Sequence, residues 1–321
     1  MLSLQEVGKV YGTDVVAVND ISLDVAQGDL LTLIGPSGCG KTTVLRMINR
    51  LTEPSSGKIL VYGREIRDWD PIELRRSIGY VIQQVGLFPH LTVEQNIAYV
   101  LRITGMPGKK RRARAAELVS LIGLDESHLQ RYPAELSGGQ AQRVGFARAL
   151  ASDPDIILMD EPFGALDQIT RLQLQDELLR IQQQLKKTIV FVTHDIQEAM
   201  KMGDKIALMR SGSLVQLGRP VDFFNCPADE FVTDFIGGSD FFRLLELIPV
   251  HQVMEEASLK NTPEATLSRD MTLAEAMRKM FQQNKQQMHV TDCEGKVTGL
   301  LSMEIIRQAA AAGSGCTEED E

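Results

Sequence analysis

Residues 35 to 43 read Gly35-Pro36-Ser37-Gly38-Cys39-Gly40-Lys41-Thr42-Thr43, a run that satisfies G-x-x-x-x-G-K-[ST]. Glycines at those positions let the backbone fold tightly, so that its N–H groups and the N-terminus of a following helix point at phosphate oxygens. Lys41 would then neutralise β and γ phosphates, and the Thr42 hydroxyl would ligate Mg2+. A second candidate is Ile156-Ile157-Leu158-Met159-Asp160-Glu161, an apolar run that ends in two carboxylates. At the C-terminal end of a strand Asp160 is placed to hold Mg2+ beside those phosphates, and Glu161, one residue on, to orient and deprotonate an attacking water. His194 follows the apolar run Ile189–Val192; on a strand next to the one that carries Asp160, its imidazole would reach a γ-phosphate. Finally, Leu136-Ser137-Gly138-Gly139-Gln140 precedes a helical pattern. It reads either as an ordinary N-cap or as a second anion-binding helix N-terminus.

These groups need a scaffold that brings strand ends together. Leu30–Ile34, Ile156–Met159, Ile189–Thr193 and Ile206–Met209 are short and apolar without alternation, the pattern of strands buried on both faces of a parallel sheet. After Asp167, Leu174, Leu178, Ile181 and Leu185 recur at helical spacing, with Gln, Glu and Lys on the other face. A buried strand, this helix and the strand at Ile189 form a βαβ unit, so the fold class is α/β. Helical patterns dominate residues 84 to 150, read as an insertion between strands.

Residues 1 to 235 resemble the ATP-binding cassette family, whose signature motif is LSGGQ. The resemblance implies a P-loop NTPase cassette with a mixed sheet core and a helical subdomain. In that family two cassettes pair head to tail, each ATP lying between the P-loop of one copy and the LSGGQ of the other. Carried over, residues 35–43 and the signature residues Ser137, Gly138, Gly139 and Gln140 bind ATP, and Tyr11 stacks on adenine. Asp167, within the D-loop Ala165-Leu166-Asp167, completes the nucleotide contacts. Gln83, with Gln84 as the other occupant, is the Q-loop glutamine that contacts Mg2+ and the attacking water. Asp160 and Glu161 are the Walker B pair, and His194 is the switch histidine. ATP and Mg2+ are the implied cofactors; Glu161, His194 and Gln83 are the implied catalytic residues, and Thr42, Gln83 and Asp160 the metal ligands.

Soluble cassettes that act on DNA or ribosomes fit less well: no heptad run lies between Gln83 and Ser137, and there is one P-loop and one LSGGQ. Ile82-Gln83-Gln84-Val85-Gly86-Leu87-Phe88-Pro89-His90 and Ile48-Asn49-Arg50 resemble importers of glycine betaine, choline and carnitine; an amino-acid or polyamine importer is the alternative. Residues 250 to 309 resemble a single small α/β CBS unit through Leu273-Ala274-Glu275-Ala276-Met277, Val290-Thr291-Asp292 and Gly299-Leu300-Leu301-Ser302. Such units regulate osmoprotectant importers by sensing ionic strength or a cyclic dinucleotide. Here Ile305 stands where the family has a ribose-binding Asp, which argues against a tight adenosine-type ligand and for dimerisation or ionic-strength sensing. Residues 237–249 read as a linker, beginning Gly237-Gly238-Ser239. Residues 310–321 form an acidic tail ending TEEDE, read either as a salt-responsive element or as a solvated tail.

Composition agrees. In 321 residues, 34 Lys and Arg against 43 Asp and Glu give a net charge of -9, against a nucleic-acid-coating protein. The basic run Lys109-Lys110-Arg111-Arg112 opens a helical pattern and reads as a solvated face. No apolar run approaches the roughly 18 residues that a membrane-spanning helix needs. Together with this, the family resemblance implies a homodimer on the cytoplasmic face of the membrane, working with two separate transmembrane permease subunits and, indirectly, an extracytoplasmic solute-binding protein. The start, MLSLQEVGKVYG, lacks signal-peptide character, and four scattered cysteines (Cys39, Cys226, Cys293, Cys316) suggest a reduced compartment.

Overall fold

A computed structural model describes residues 1–83, 86–164, 166–236, 245–246, 248–256, 266–292 and 295–306. Gln84, Val85, Ala165, Gly237 to Ser239, Cys293, Cys316 and the acidic tail lie outside the described residues. The chain divides into two compact units between Leu217 and Gly218.

The first unit holds two sheets. Strands β1 (Leu2–Tyr11), β2 (Val15–Val25), β4 (Ser56–Val61) and β5 (Arg64–Glu65) form one, in the order β2-β1-β4-β5 and antiparallel throughout. The second runs β10-β9-β3-β8-β7-β6, built from β3 (Leu30–Ile34), β6 (Ile78–Val81), β7 (Ile156–Asp160), β8 (Thr188–Val192), β9 (Lys205–Arg210) and β10 (Ser213–Gly218). Its pairs β6–β7, β7–β8, β8–β3 and β3–β9 are parallel. Every residue of β3, β7 and β8 is buried, and the reason is visible in the packing. Ile156, Leu158, Val190, Val192, Leu31 and Leu33 enter a core shared with the antiparallel sheet and α1 (Lys41–Ile48). Their alternates Ile157, Met159, Ile189, Phe191 and Leu30 enter a second core under the helices. A strand that feeds two cores cannot alternate apolar with polar residues, which explains the continuous apolar runs.

Helix α2 (Pro71–Ser77) leads into β6, and between β6 and β7 lie α3 (Val93–Ile97), α4 (Tyr99–Ile103), α5 (Gly108–Leu121) and α6 (Gly138–Leu150), where the sequence predicts a helical insertion. Fully buried Asn96 pins the loop ahead of α3: its carbonyl accepts from Phe88 N at 2.8 Å and its amide donates to the Phe88 and Leu91 carbonyls at 3.1 and 3.0 Å. Helix α7 (Gln168–Leu185) buries Leu174, Leu178 and Ile181 of the four positions that the helical spacing picks out, with Leu185 half-buried against the same core, and α8 (Ile196–Met202) connects β8 to β9. No helix among the described residues is long and apolar enough to cross a membrane.

In the second unit α9 (Asp222–Asn225) and α10 (Glu230–Ile236) precede β11 (Glu255–Glu256), β12 (Thr266–Ser268), α11 (Leu273–Gln282), β13 (Gln287–Thr291) and β14 (Val297–Ser302). The sheet order is β11-β14-β13-β12; β12 and β13 are parallel across α11, and β13 and β14 antiparallel around Gly295. Thr272 and Glu275 form a capping box at the start of α11. The unit begins before the compositional break at Gly237, because Val221 and Phe224 pack on its core of Leu245, Ile248, Val250, Leu267, Met280 and Leu301.

Candidate active site

The glycine run joins the end of β3 to α1, and its geometry leaves no room for side chains at two points. A Cβ on Gly35, at φ +143, would fall 2.1 Å from the Met209 carbonyl oxygen; one on Gly40, at φ +106, would fall 2.4 Å from that of Ala17. Buried Lys41 donates from Nζ to the carbonyls of Gly35 at 2.7 Å and Pro36 at 3.0 Å, which coils the loop around the ammonium group. Its Nζ lies 3.7 Å from Cys39 Sγ. A cavity of about 410 Å3 opens over this loop, lined among others by Ser37, Gly38, Lys41, Thr42, Thr43 and Gln83, and closed by Glu161 and His194. Gly40→Ala combines a left-handed backbone with a collision against main chain, so nucleotide binding should weaken at least about 10-fold. Equilibrium titration with a fluorescent ATP analogue checks this.

The strand ends meet as the parallel register requires. Thr42 Oγ1 donates to Asp160 Oδ1 at 2.9 Å, joining α1 to the end of β7. Burial raises the Asp160 carboxyl, with the Glu161 charge adding to it, while the Thr42 hydrogen bond, Arg46 and Lys41 act the other way. Behind it, the Tyr80 hydroxyl is pushed up to about 12 by burial and by the Asp160 charge. Glu161 Oε2 accepts from Gln83 Nε2 at 2.9 Å and lies 3.3 Å from His194 Nδ1. Glu161 itself has φ 45, rare for a residue with a side chain, and its N–H is tied to the Val192 carbonyl at 3.0 Å. Holding a non-glycine residue there costs about 1 kcal/mol or more, a strain found where a side chain must be aimed.

Compared with known proteins, residues 18–164 match the family described as ABC transporter. The chain is 49% identical over 308 residues to the glycine betaine/carnitine/choline transport ATP-binding protein OpuCA of Bacillus subtilis, covering 96% of this chain and 80% of that one. The chain belongs to the ATP-binding cassette transporter family. It is also 44% identical over 302 residues to the glycine betaine uptake system ATP-binding protein YehX of Escherichia coli, covering 94% of this chain and 97% of that one. Among solved structures, a dimeric cassette in a post-hydrolysis state bound to ADP and Pi superposes with a TM-score of 0.62 at 36% identity, covering 68% of this chain and 99% of that one. The chain is thus an ATP-binding ABC ATPase.

Not every expected nucleotide contact of this cassette converges on the cleft of one chain. Tyr11 sits at the end of β1, 41% exposed, with Lys9 Nζ 5.0 Å from its ring centroid, and does not line the cavity; Ala17, on the neighbouring strand, does. Ser137 caps α6 by accepting from Gln140 N at 3.3 Å, and its own N–H donates to Gln140 Oε1 at 3.0 Å. Asp167 caps α7, accepting from Thr170 N at 3.0 Å, and these hydrogen bonds hold its carboxyl below the usual range. The starts of α6 and α7 abut each other: a Cβ on Gly139 would lie 2.6 Å from Thr170 Cγ2, and one on Gly138 3.7 Å from Leu166 Cδ2. Neither start lines the P-loop cavity.

No motif in the sequence marks Arg46 and Tyr80 behind Asp160, or the network beside His194 through Thr193, Glu198, Gln175 and Arg171. For Glu198, set in the first turn of a short helix, the sequence carries no signal that separates it from a solvated carboxylate.

Proposed function

We propose that this chain is the ATP-hydrolysing subunit of an importer for quaternary-amine osmoprotectants. The observation that carries the catalytic part is one constellation: a carboxylate held by an amide and an imidazole at a strand end, one residue after a carboxylate bonded to the P-loop hydroxyl. In this reading Lys41 and the P-loop backbone hold the β and γ phosphates, and Thr43 flanks them. Glu161 accepts the proton of the attacking water, Gln83 orients that water, and His194 steadies the γ-phosphate and Glu161 together. Thr42 and Asp160, 2.9 Å apart, offer the hydroxyl and single carboxylate that suit Mg2+ and would hold it, with Gln83, which lines the cavity, as a further ligand. The metal held there would supply neutralisation of charge on the phosphate oxygens.

Because the signature helix does not line the cavity of its own chain, the reading requires a homodimer, with Ser137, Gly138, Gly139, Gln140 and Asp167 meeting ATP held by the other copy. Two transmembrane subunits would carry the solute, and a solute-binding protein would deliver it, so this chain would sit on the cytoplasmic face of the membrane. Both relatives bear names of glycine betaine transport, which supports the substrate class. Co-expression with its transmembrane permease subunits should yield uptake of radiolabelled betaine, choline or carnitine; uptake of methionine or a polyamine instead would replace that class.

The second unit supports a regulatory reading as a single CBS-like domain. Ile305 is half-buried and packs on its core, with its N–H donating to Ser302 Oγ at 3.2 Å, an arrangement that offers no carboxylate to a ribose. A dimerising or ionic-strength-sensing role follows better than nucleotide binding. Removing residues 218–321 should flatten the dependence of ATPase rate on salt, and an unchanged profile would count against the role. Cutting at 250 instead would strip Leu245 and Ile248 of the core that buries them.

A further inference from the structure

His194 has little to hold its ring: the side chain is 64% exposed, and its contact with Glu161 spans 3.3 Å. Its place is set by its two neighbours. On one side, Thr193 Oγ1 donates to Glu198 Oε2 at 2.6 Å and accepts from Asp195 N at 3.0 Å. On the other, Asp195 caps α8 through Oδ1 while its Oδ2 accepts from Arg171 Nη1 at 3.4 Å. The two clamps share partners. Glu198, 6% exposed, receives Gln175 Nε2 at 3.3 Å and has Arg171 Nε at 3.8 Å, and Arg171 Nη2 donates to the Leu166 carbonyl at 3.2 Å. One guanidinium therefore joins the loop ahead of Asp167 to Asp195 directly and, through the charge of Glu198, to Thr193.

We infer that Glu198 and Arg171 are positioning residues for hydrolysis, acting through Thr193 and Asp195 to hold the His194 imidazole on Glu161. The inference rests on the reading of His194 as part of the site. Physically, a buried carboxylate is an expensive way to hold two helices together, since apolar packing would do so without the desolvation penalty. What a carboxylate supplies is direction: its two oxygens accept from Thr193 and Gln175, while Arg171 sets a positive charge 3.8 Å away and directs its own hydrogen bonds to Asp195 and the Leu166 carbonyl. A misplacement of about 1 Å at a reacting group is enough to lower a rate on the order of 100-fold. Burial also raises the Glu198 carboxyl, so the neutral amide of Glu198→Gln relieves a desolvation cost while keeping the shape.

The test is epistasis with the imidazole in the full-length chain at saturating ATP and Mg2+. Glu198→Gln should lower kcat about 10-fold or more, leave KM for ATP within about 2-fold, and leave the unfolding midpoint within a few degrees. In a His194→Ala background, where turnover is already reduced, the same substitution should add less than about 2-fold, because its effect passes through the missing ring. Thr193→Val should reproduce the loss and Thr193→Ser should restore it, which keeps the inference testable if the Glu198 variant does not fold. Factors that multiply in the His194→Ala background, or a Thr193→Ser variant as slow as Thr193→Val, would overturn the inference and leave the site reading standing. Wild-type turnover in His194→Ala itself would overturn the site reading.

Discussion

Glu161→Gln is expected to bind ATP as tightly as the unaltered chain and to lose its turnover by about 100-fold to 10,000-fold, the range that removal of a general base commands. The amide is the same size as the carboxylate and its carbonyl still accepts from Gln83 Nε2, so the bond now 2.9 Å long has a natural replacement. The strained backbone at φ 45 is unchanged by the substitution, because the tie to Val192 is made by the main chain. Nothing in the P-loop is touched: Lys41 keeps its two carbonyl partners, and Thr42 keeps Asp160. What disappears is the carboxyl group that Gln83 orients at the edge of the cleft. With hydrolysis stopped and binding intact, ATP should stay sandwiched, and the variant should run as a dimer on gel filtration with two unhydrolysed nucleotides retained. Rapid release of phosphate by this variant would remove Glu161 from the role and leave Asp160 or His194 to account for proton transfer. Lys41→Ala is the contrast, since it should lose binding as well.

How far the site could be read from residues alone depended on how local its signals are. The P-loop is contiguous, and its glycines are needed for a backbone course that the structure displays at Gly35 and Gly40. Asp160 and His194 were legible because each ends an apolar run, and a parallel sheet puts such ends side by side. The antiparallel sheet was not recognised, although Ile21, Leu23 and Val25 alternate in β2, because β1 carries register shifts that break the two-residue period. The Glu198 and Arg171 network was hidden for a different reason. Its members belong to different elements, joined by hydrogen bonds between side chains, and no period or spacing announces a buried carboxylate. The boundary at Leu217 and Gly218 was missed because composition changes at Gly237 while packing changes earlier, at Val221 and Phe224.

Ser137→Arg should reduce turnover about as severely as loss of a phosphate-contacting site does, at least 10-fold, while ATP binding to the P-loop stays largely intact. Within one chain the substitution has no evident route to the nucleotide: Ser137 is exposed at the start of α6 and does not line the P-loop cavity. Its cost to the fold is the lost cap, about 1 kcal/mol, too little to unfold a cassette whose cores are as large as these. A large loss of hydrolysis would therefore have to arise where α6 meets another copy. Mixing variants separates the possibilities. A dimer of one Ser137→Arg chain and one Lys41→Ala chain has, if sites are shared, one composite site with both defects and one with neither. Random pairing of equal amounts makes half the dimers mixed, so about one quarter of the sites should be intact, and turnover should exceed that of either variant alone. If instead each chain built its whole site from its own P-loop and its own signature helix, every site in every pairing would be defective and mixing would recover nothing. Equal loss of ATP binding and hydrolysis in Ser137→Arg alone would point to the same single-chain arrangement.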